Sequence, residues 1–257
     1  MRGMRLTDRR NKILELLAWQ EELPVSQLIS VLQVSDETVR KDLIEMERQG
    51  LVRRTHGRVS LVRNSEKQDD EISRRAFLNQ EAKERIAAEV VRHVPEGDFS
   101  VGLDVGNTTW HVAKQLVKRQ DITVVTNSLD IAQLYAQEKN SGIQCTGGTL
   151  RVFDNGFYGY WTRENLKSIN MCVSVLGTSG IMELDGIGAV SFDDRDVKKL
   201  YVKNSQFVIA AFDSSKCTRG TMVEGVPWSD IDLVVTDEAM PEEDRRRIRQ
   251  QTELIIV

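Results

Sequence analysis

An apolar run, Phe99 to Leu103, ends in Asp104-Val105-Gly106-Asn107-Thr108-Thr109, and a helical pattern begins at Trp110. One glycine, one amide and two hydroxyls at a strand-to-helix turn could hold an anion. Backbone N–H groups at a helix N-terminus point at a phosphate, and Asn107, Thr108 and Thr109 add donors. The same residues would also serve as a plain cap and tight turn. The segment lacks the GxxxxGK[ST] frame of a P-loop and the dinucleotide fingerprint. A second candidate is Lys216, which follows Asp213-Ser214-Ser215 at the end of another apolar run. A lysine there can neutralise a phosphate, or stand in a solvated surface loop.

Residues 1–63 carry a different chemistry. Ser35 can cap a helix whose first acids, Asp36 and Glu37, suit the positive end of the dipole. If Val39, Leu43 and Met46 face a core, then Glu37, Thr38, Arg40, Lys41 and Ile44 lie on or near the opposite faces. A helix that enters the major groove of DNA does so by its N-terminal end, with short polar and cationic side chains reaching bases and phosphates. Arg40 or Lys41 could pair with guanine edges or with phosphates. Downstream, Gly50 to Arg63 holds no acid but carries Arg53, Arg54, Arg58 and Arg63. The plain alternative is a solvated helix face, with Arg40 and Lys41 paired locally to Asp36 and Glu45.

Three helices and a hairpin would place that face. Thr7 caps a first helix with Ile13, Leu14, Leu16 and Leu17 on one side. Trp19 to Leu23 reads as its end and a loop closed by Pro24. Ser26 caps a second helix (Leu28, Ile29, Leu32), and Val34-Ser35 is a tight connection to the third. Gly50 suits a helix C-terminus. Leu51–Thr55 and Val59–Val62 form a hairpin around His56-Gly57, which completes a winged helix-turn-helix. The polar stretch Asn64–Asp70 reads as a linker. Short apolar strands then alternate with helices: strands at 99–103, 122–126, 143–146, 171–176, 207–212 and 231–236, helices at 83–93, 110–118, 129–138 and 194–204. That alternation argues for a mostly parallel α/β sheet, with ligands at the carboxyl ends of its strands. The expected organisation is a DNA-binding domain at 1–63, a linker at 64–72 and an effector and oligomerisation domain at 73–257.

The charge is divided along the same line. The 257 residues carry a formal net charge of −4. Residues 1–63 hold 12 basic and 9 acidic side chains, a net +3; the remainder holds 23 and 30, a net −7. A small basic module on an acidic body fits two jobs, and a module with only +3 argues for paired modules in an oligomer. No apolar run reaches the roughly 20 residues that span a bilayer. Cys145, Cys172 and Cys217 have no metal spacing and read as buried, reduced thiols of a cytoplasmic protein. His93 and His111 read as isolated surface or packed histidines. Trp110, Phe157, Tyr158, Tyr160 and Trp161 read as core. Asp193, Asp194 and Asp196 read as first-turn helix charges, and Glu242–Arg249 as a solvent-facing helix after Pro241.

Ser35 to Leu43, with Glu47, Gly50-Leu51, Arg53 and His56-Gly57, resembles the signature of the DeoR family of bacterial sugar-operon repressors. The resemblance continues through Leu103–Thr109, Val124–Leu129, Gly147–Arg151, Gly177–Gly180, Val197-Lys198 and Ala211–Lys216, and so covers nearly the whole chain. It implies a fold similar to ribose-5-phosphate isomerase and CoA transferases for the second domain. It also implies DNA contact by Ser26, Ser35, Glu37, Thr38, Arg40, Lys41, Arg54, His56 and Arg58. A phosphorylated sugar would be held by Asp104, Gly106, Asn107, Thr108, Thr109, Asn127, Gly147, Gly148, Gly177, Lys198 and Lys216, with no cofactor and no metal. The family pattern is departed from at four places: Arg58 replaces a second glycine after His-Gly, Asn107 stands where Thr or Ser is usual, Cys172 where aspartate is common, and Ala211-Phe212 where Ala or Val with Leu or Ala is more usual.

The expected function is therefore a DNA-binding repressor of a carbohydrate operon, acting on double-stranded operator DNA as a dimer or tetramer and controlled by a sugar phosphate. The rival is a sugar-phosphate isomerase with an appended DNA-binding module. It needs a general base beside the phosphate loop, and neither Asp104 nor Asp213 sits in a recognisable acid–base pair.

Overall fold

The computed structural model describes residues 6–19, 22–48, 51–55, 57–61 and 79–257. The chain divides into two compact units at Asn79/Gln80. The stretch expected as a linker, 64–72, lies outside the described residues, as do Gly50, His56, Val62 and Arg63.

In the first unit, α1 (Leu6–Trp19), α2 (Val25–Leu32) and α3 (Asp36–Arg48) enclose a core of Ile13, Leu14, Leu17, Leu28, Leu32, Val39, Leu43 and Met46. The three- and four-residue spacing of these side chains is what puts them on one stripe per helix. Strands β1 (Glu22–Pro24), β2 (Val52–Thr55) and β3 (Arg58–Leu61) form an antiparallel sheet in the order β1-β3-β2. Part of the expected loop before Pro24 is therefore a strand. Pro24 is tolerated there because β1 is an edge, where a missing N–H breaks no ladder on its outer side. Ser26 is not a cap: α2 begins one residue earlier, with Pro24 at the N-cap position and no side chain closing it. Thr7 likewise lies inside α1 rather than before it.

The second unit is built on seven parallel strands: β4 (Phe99–Leu103), β5 (Ile122–Thr126), β6 (Ile143–Cys145), β9 (Met171–Leu176), β11 (Ser205–Ala211), β13 (Leu233–Thr236) and β14 (Glu253–Ile256). Their order is β14-β13-β11-β9-β4-β5-β6. The chain winds from β4 outward through β5 to β6, then returns to the other side of β4 with β9. The seam between β4 and β9 is thus the point where the winding reverses. On one face, α4 (Gln80–Arg92), α5 (Asn107–Leu116) and α6 (Leu129–Gln137) pack Ile86, Val90, Val112, Leu116, Ile131 and Tyr135 against Val101, Leu103 and Val175. On the other, α7 (Tyr160–Lys167), α8 (Phe192–Lys203) and α9 (Glu242–Arg249) pack Leu166, Val197, Tyr201 and Ile248 beside Leu176, Ala210 and Phe212.

Some elements were not foreseen. The hairpin β7 (Thr149–Arg151) and β8 (Gly156–Tyr158), helix α7, the antiparallel pair β10 (Gly186–Ala189) and β12 (Val223–Pro227), and β14 are three to eight residues long. Elements so short show no clear period in sequence. Helix α5 starts at Asn107, three residues before its expected start, so Asn107, Thr108 and Thr109 form its first turn. Tyr160 and Trp161 do not join the core. They are 63% and 68% exposed and meet edge to face at 5.6 Å. Cys217 is buried, but Cys145 is exposed and Cys172 half-buried, so the expectation of three buried thiols fails for Cys145. His111 is packed inside, on α5.

Candidate functional site: the carboxyl edge of the sheet and the recognition helix

At the seam between β4 and β9, the carboxyl ends of the strands carry Asp104 and Gly177. The Asp104 N–H donates to the Val175 carbonyl at 3.1 Å, which stitches the two strand ends together. Behind them lies α8. Its residues Asp194, Lys198 and Tyr201 are spaced i, i+4, i+7, so all three present one face to the strand ends. Gly102 makes room for that face: a Cβ there would sit 2.9 Å from the Tyr201 ring and 2.3 Å from Ser174 Oγ.

Lys198 is 3% exposed. Its ammonium donates to an Asp104 carboxylate oxygen and to the Gly177 carbonyl at 3.1 Å, and lies 3.5 Å from Asp194. An ammonium has three donors, and these three acceptors account for all of them. Asp194 is itself fixed, because its other oxygen accepts the Val190 N–H at 2.9 Å while Ser191 caps the helix through the Asp194 N–H. Asp194 is therefore more than a dipole charge. Burial works against the Lys198 ammonium, but the Asp104 and Asp194 charges outweigh it and hold its pKa above the usual value. Burial also pushes Asp104 up, to about 6, against the pull of Lys198. The second oxygen of Asp104 is buried with no hydrogen-bond partner among the described residues, and so is the side-chain oxygen of Asn107.

The rest of the expected ligand set divides between scaffold and open edge. The Thr109 hydroxyl is directed to the carbonyls of Asp104 (2.7 Å) and Gly106 (2.8 Å), which fixes the turn. Asn127, after β5, is held through Tyr201: its backbone N–H donates to the phenol oxygen at 3.1 Å, and the phenol O–H donates to its side-chain oxygen at 3.2 Å. Thr108 is buried in the first turn of α5. Gly147 and Gly148 follow β6 with positive φ of 61° and 126°. A Cβ on Gly148 would lie 2.1 Å from Thr162 Oγ1 and 2.5 Å from the Tyr158 carbonyl, so only glycine fits. Lys216 closes a single 3-10 turn, Ser214–Lys216, after β11. Asp104, Gly106, Asn107, Thr108, Thr109, Gly177 and Lys198 are thus brought together at the reversal point. Asn127, Gly147, Gly148 and Lys216 stand on the same carboxyl edge, one or two strands away. Asp194 and Tyr201 belong to this site and were missed as such; their shared spacing with Lys198 was the signal. No group of three His, Cys, Asp or Glu side chains that could hold a metal occurs among the described residues.

In the first unit, Ser35 accepts the Thr38 N–H at 3.3 Å and starts α3. Arg40 pairs with Asp36 at 2.8 Å, and Lys41 with Glu37 at 2.8 Å rather than with Glu45, which binds Arg48. All four of these side chains are more than half exposed. Arg54 of the wing is bound by Glu47 at 2.7 Å, and Glu47 also accepts the Arg54 backbone N–H at 3.0 Å. That backbone bond, reinforced by the guanidinium, holds the Glu47 carboxyl below its usual pKa. Arg58 pairs with Glu22 of β1 at 2.7 Å. Ser26 is exposed on α2. On the inner side of α3, Asp42 is buried and accepts from Arg9 and Arg10 of α1 at 2.5 and 3.3 Å.

A winged helix-turn-helix joined to a doubly wound sensor sheet defines a ligand-responsive transcription regulator. The model for the DeoR-like helix-turn-helix domain matches residues 9–65, and that for the DeoR C-terminal sensor domain residues 78–238. The chain belongs to the DeoR family of transcriptional repressors. It is 33% identical to the glycerol-3-phosphate regulon repressor of Escherichia coli over 93% of each chain. It is 31% identical to the transcriptional repressor AccR of Agrobacterium fabrum, over 93% of this chain and 95% of that one. Among solved structures, ribose-5-phosphate isomerase A from Methanocaldococcus jannaschii matches with a TM-score of 0.40 and 16% identity over 55% of each chain.

Proposed function

We propose that this repressor senses a phosphorylated sugar or polyol at the β4/β9 crevice and that the ligand changes its affinity for operator DNA. The observation that carries this reading is the first turn of α5 at the reversal point, beside a buried carboxylate with one oxygen left unpartnered. First-turn N–H groups lack an i−4 carbonyl and favour a phosphate. Asp104 and Asn107 would accept from ligand hydroxyls, and Gly147, Gly148, Asn127 and Lys216 would form the surround. Lys198 would hold Asp104 in place, since its own donors are spent internally. The name of the Escherichia coli relative concerns a glycerol-3-phosphate regulon; for this chain we carry over the chemical class.

Ser35, Glu37, Thr38, Arg40 and Lys41 of the recognition helix would face the major groove. Ser26, Arg54, His56 and Arg58 would border the DNA backbone, with two modules paired in a homo-oligomer in the cytoplasm. A thermal-shift comparison tests the sensor reading. The full chain is heated with glycerol 3-phosphate, ribose 5-phosphate and glucose 6-phosphate, and with the matching unphosphorylated compounds. At least one ester should raise the melting temperature where its parent does not, and Lys216→Met should reduce that shift. No response to any ester beyond that to inorganic phosphate overturns it. Turnover of a binding ester, abolished by Asp104→Ala, would return the isomerase alternative.

A further inference from the structure

The four cations proposed to meet DNA share one feature: each already holds a carboxylate. Arg40 is paired with Asp36, Lys41 with Glu37, Arg54 with Glu47 and Arg58 with Glu22, at 2.7–2.8 Å. The acids come from two elements, α3 and β1, and two of the four pairs, Arg54–Glu47 and Arg58–Glu22, join different elements, so the pattern is not a by-product of one helix repeat. We propose that these carboxylates are specificity determinants that neutralise these four cations until a matching site is met; the proposal rests on the placement of the recognition helix given above.

The physical reason lies in exchange. Non-specific affinity comes almost wholly from cations that neutralise phosphates and release counterions. Here a phosphate must first displace a carboxylate. Each exposed pair is weak, so displacement is easy, but the freed carboxylate then faces the duplex and must recruit a counterion of its own. The net electrostatic gain on arbitrary DNA is small. Only a sequence that adds base-edge contacts by Thr38, Arg40 or Lys41 makes up the difference. Glu47 differs from the other three in also gripping the Arg54 backbone, so it is a positioning residue as well and is left intact in the test.

The test uses the full chain and a random-sequence duplex long enough for two half-sites, so no operator need be known. Binding is followed by fluorescence anisotropy across a salt series, with circular dichroism to check folding. Asp36→Asn/Glu37→Gln should bind the random duplex about tenfold more tightly at moderate salt, with a steeper fall of log affinity against log salt than the wild type. Glu22→Gln, in a different element, should move in the same direction by a smaller factor. It decides the matter if the double variant fails to fold. Unchanged or weaker binding by folded acid-to-amide variants overturns the proposal. Arg40→Ala/Lys41→Ala separates the two layers. If it leaves random-duplex binding unchanged, the placement of the recognition helix falls. If it weakens binding while the amide variants do not tighten it, only the role of the carboxylates falls.

Discussion

Lys198 has nowhere else to put its charge. It is buried with carboxylates on either side, and its loss would leave Asp104 and Asp194 facing each other without a counter-ion. Breaking a buried pair from one side costs about 3–5 kcal/mol. Lys198→Met should therefore lower the stability of the full chain by about that amount in urea unfolding, and Asp104→Asn added to it should recover part of the loss. A Lys198→Met chain as stable as the wild type would show that the Asp104–Lys198–Asp194 cluster is not an anchor. His111 supplies a second residue-scale prediction. Burial, and then the Lys83 ammonium, depress its pKa to about 4. The unfolded chain takes up this proton near 6.5 and the folded chain only near 4, so the contribution is present above pH 6.5 and is lost as pH falls toward 4. A shift of that size corresponds to about 3 kcal/mol. Asp104 runs the other way: its raised pKa gives a contribution present below pH 3.8 and lost as pH rises through about 6. Comparing wild type with His111→Gln isolates the first effect. The melting temperature of the variant should fall less between pH 6.5 and 4.5; parallel curves would contradict the depressed pKa.

At the scale of elements, two helices organise the two units by their inward faces. Helix α3 presents Arg40 and Lys41 outward only because Val39, Leu43 and Met46 face inward and Asp42 is clamped by Arg9 and Arg10. Asp42→Ala would remove the buried carboxylate that Arg9 and Arg10 share. It should destabilise the first unit by about 3 kcal/mol and abolish DNA binding at 37 °C, while an effector-induced thermal shift in the second unit survives. Loss of both responses together would mean that the units do not unfold separately. The outward face of α3 and the strand–turn–helix at Asp104 were legible in sequence, because apolar spacing fixes which side chains cannot face solvent and a small-residue turn after an apolar run marks a strand end. Asp42 was not, since an acid one residue from a core leucine reads as surface unless the arginines of another helix are known to reach it. The Asp194–Lys198–Tyr201 face was legible as spacing but not as a site, because its partners stand at the ends of β4, β5 and β9, Gly177 21 residues away in sequence and Asn127 and Asp104 74 and 94 away. The hairpin β7–β8 left no signal because three-residue strands show no alternation.

At the scale of the whole molecule, a net charge of −4 looks unsuited to DNA, yet its division into +3 on residues 1–63 and −7 on residues 64–257 assigns attraction to the first segment and repulsion to the rest. The ion pairs of α3 and the wing reduce the attraction further. A single module should therefore hold DNA weakly, and tight binding should require two modules on half-sites about 34–36 Å apart or a multiple of that. No helix among the described residues is long and apolar enough to cross a membrane. Coupling between the units then has a strict thermodynamic form. A ligand shifts DNA affinity only by its differential affinity for the DNA-bound and free arrangements, and the shift is reciprocal. If a sugar phosphate weakens operator binding by some factor, operator DNA must weaken sugar-phosphate binding by the same factor. Typical couplings are about 5- to 150-fold. Isothermal titration of the full chain with the active ester, with and without a saturating operator duplex, measures one side, and anisotropy of the labelled operator with and without saturating ester measures the other. The two factors should agree. The double variant Arg40→Ala/Lys41→Ala, expected to lose operator binding, should bind the ester with the affinity of the DNA-free wild type. An ester affinity insensitive to operator DNA in the wild type would show that the crevice at Asp104 is not the site through which repression is controlled.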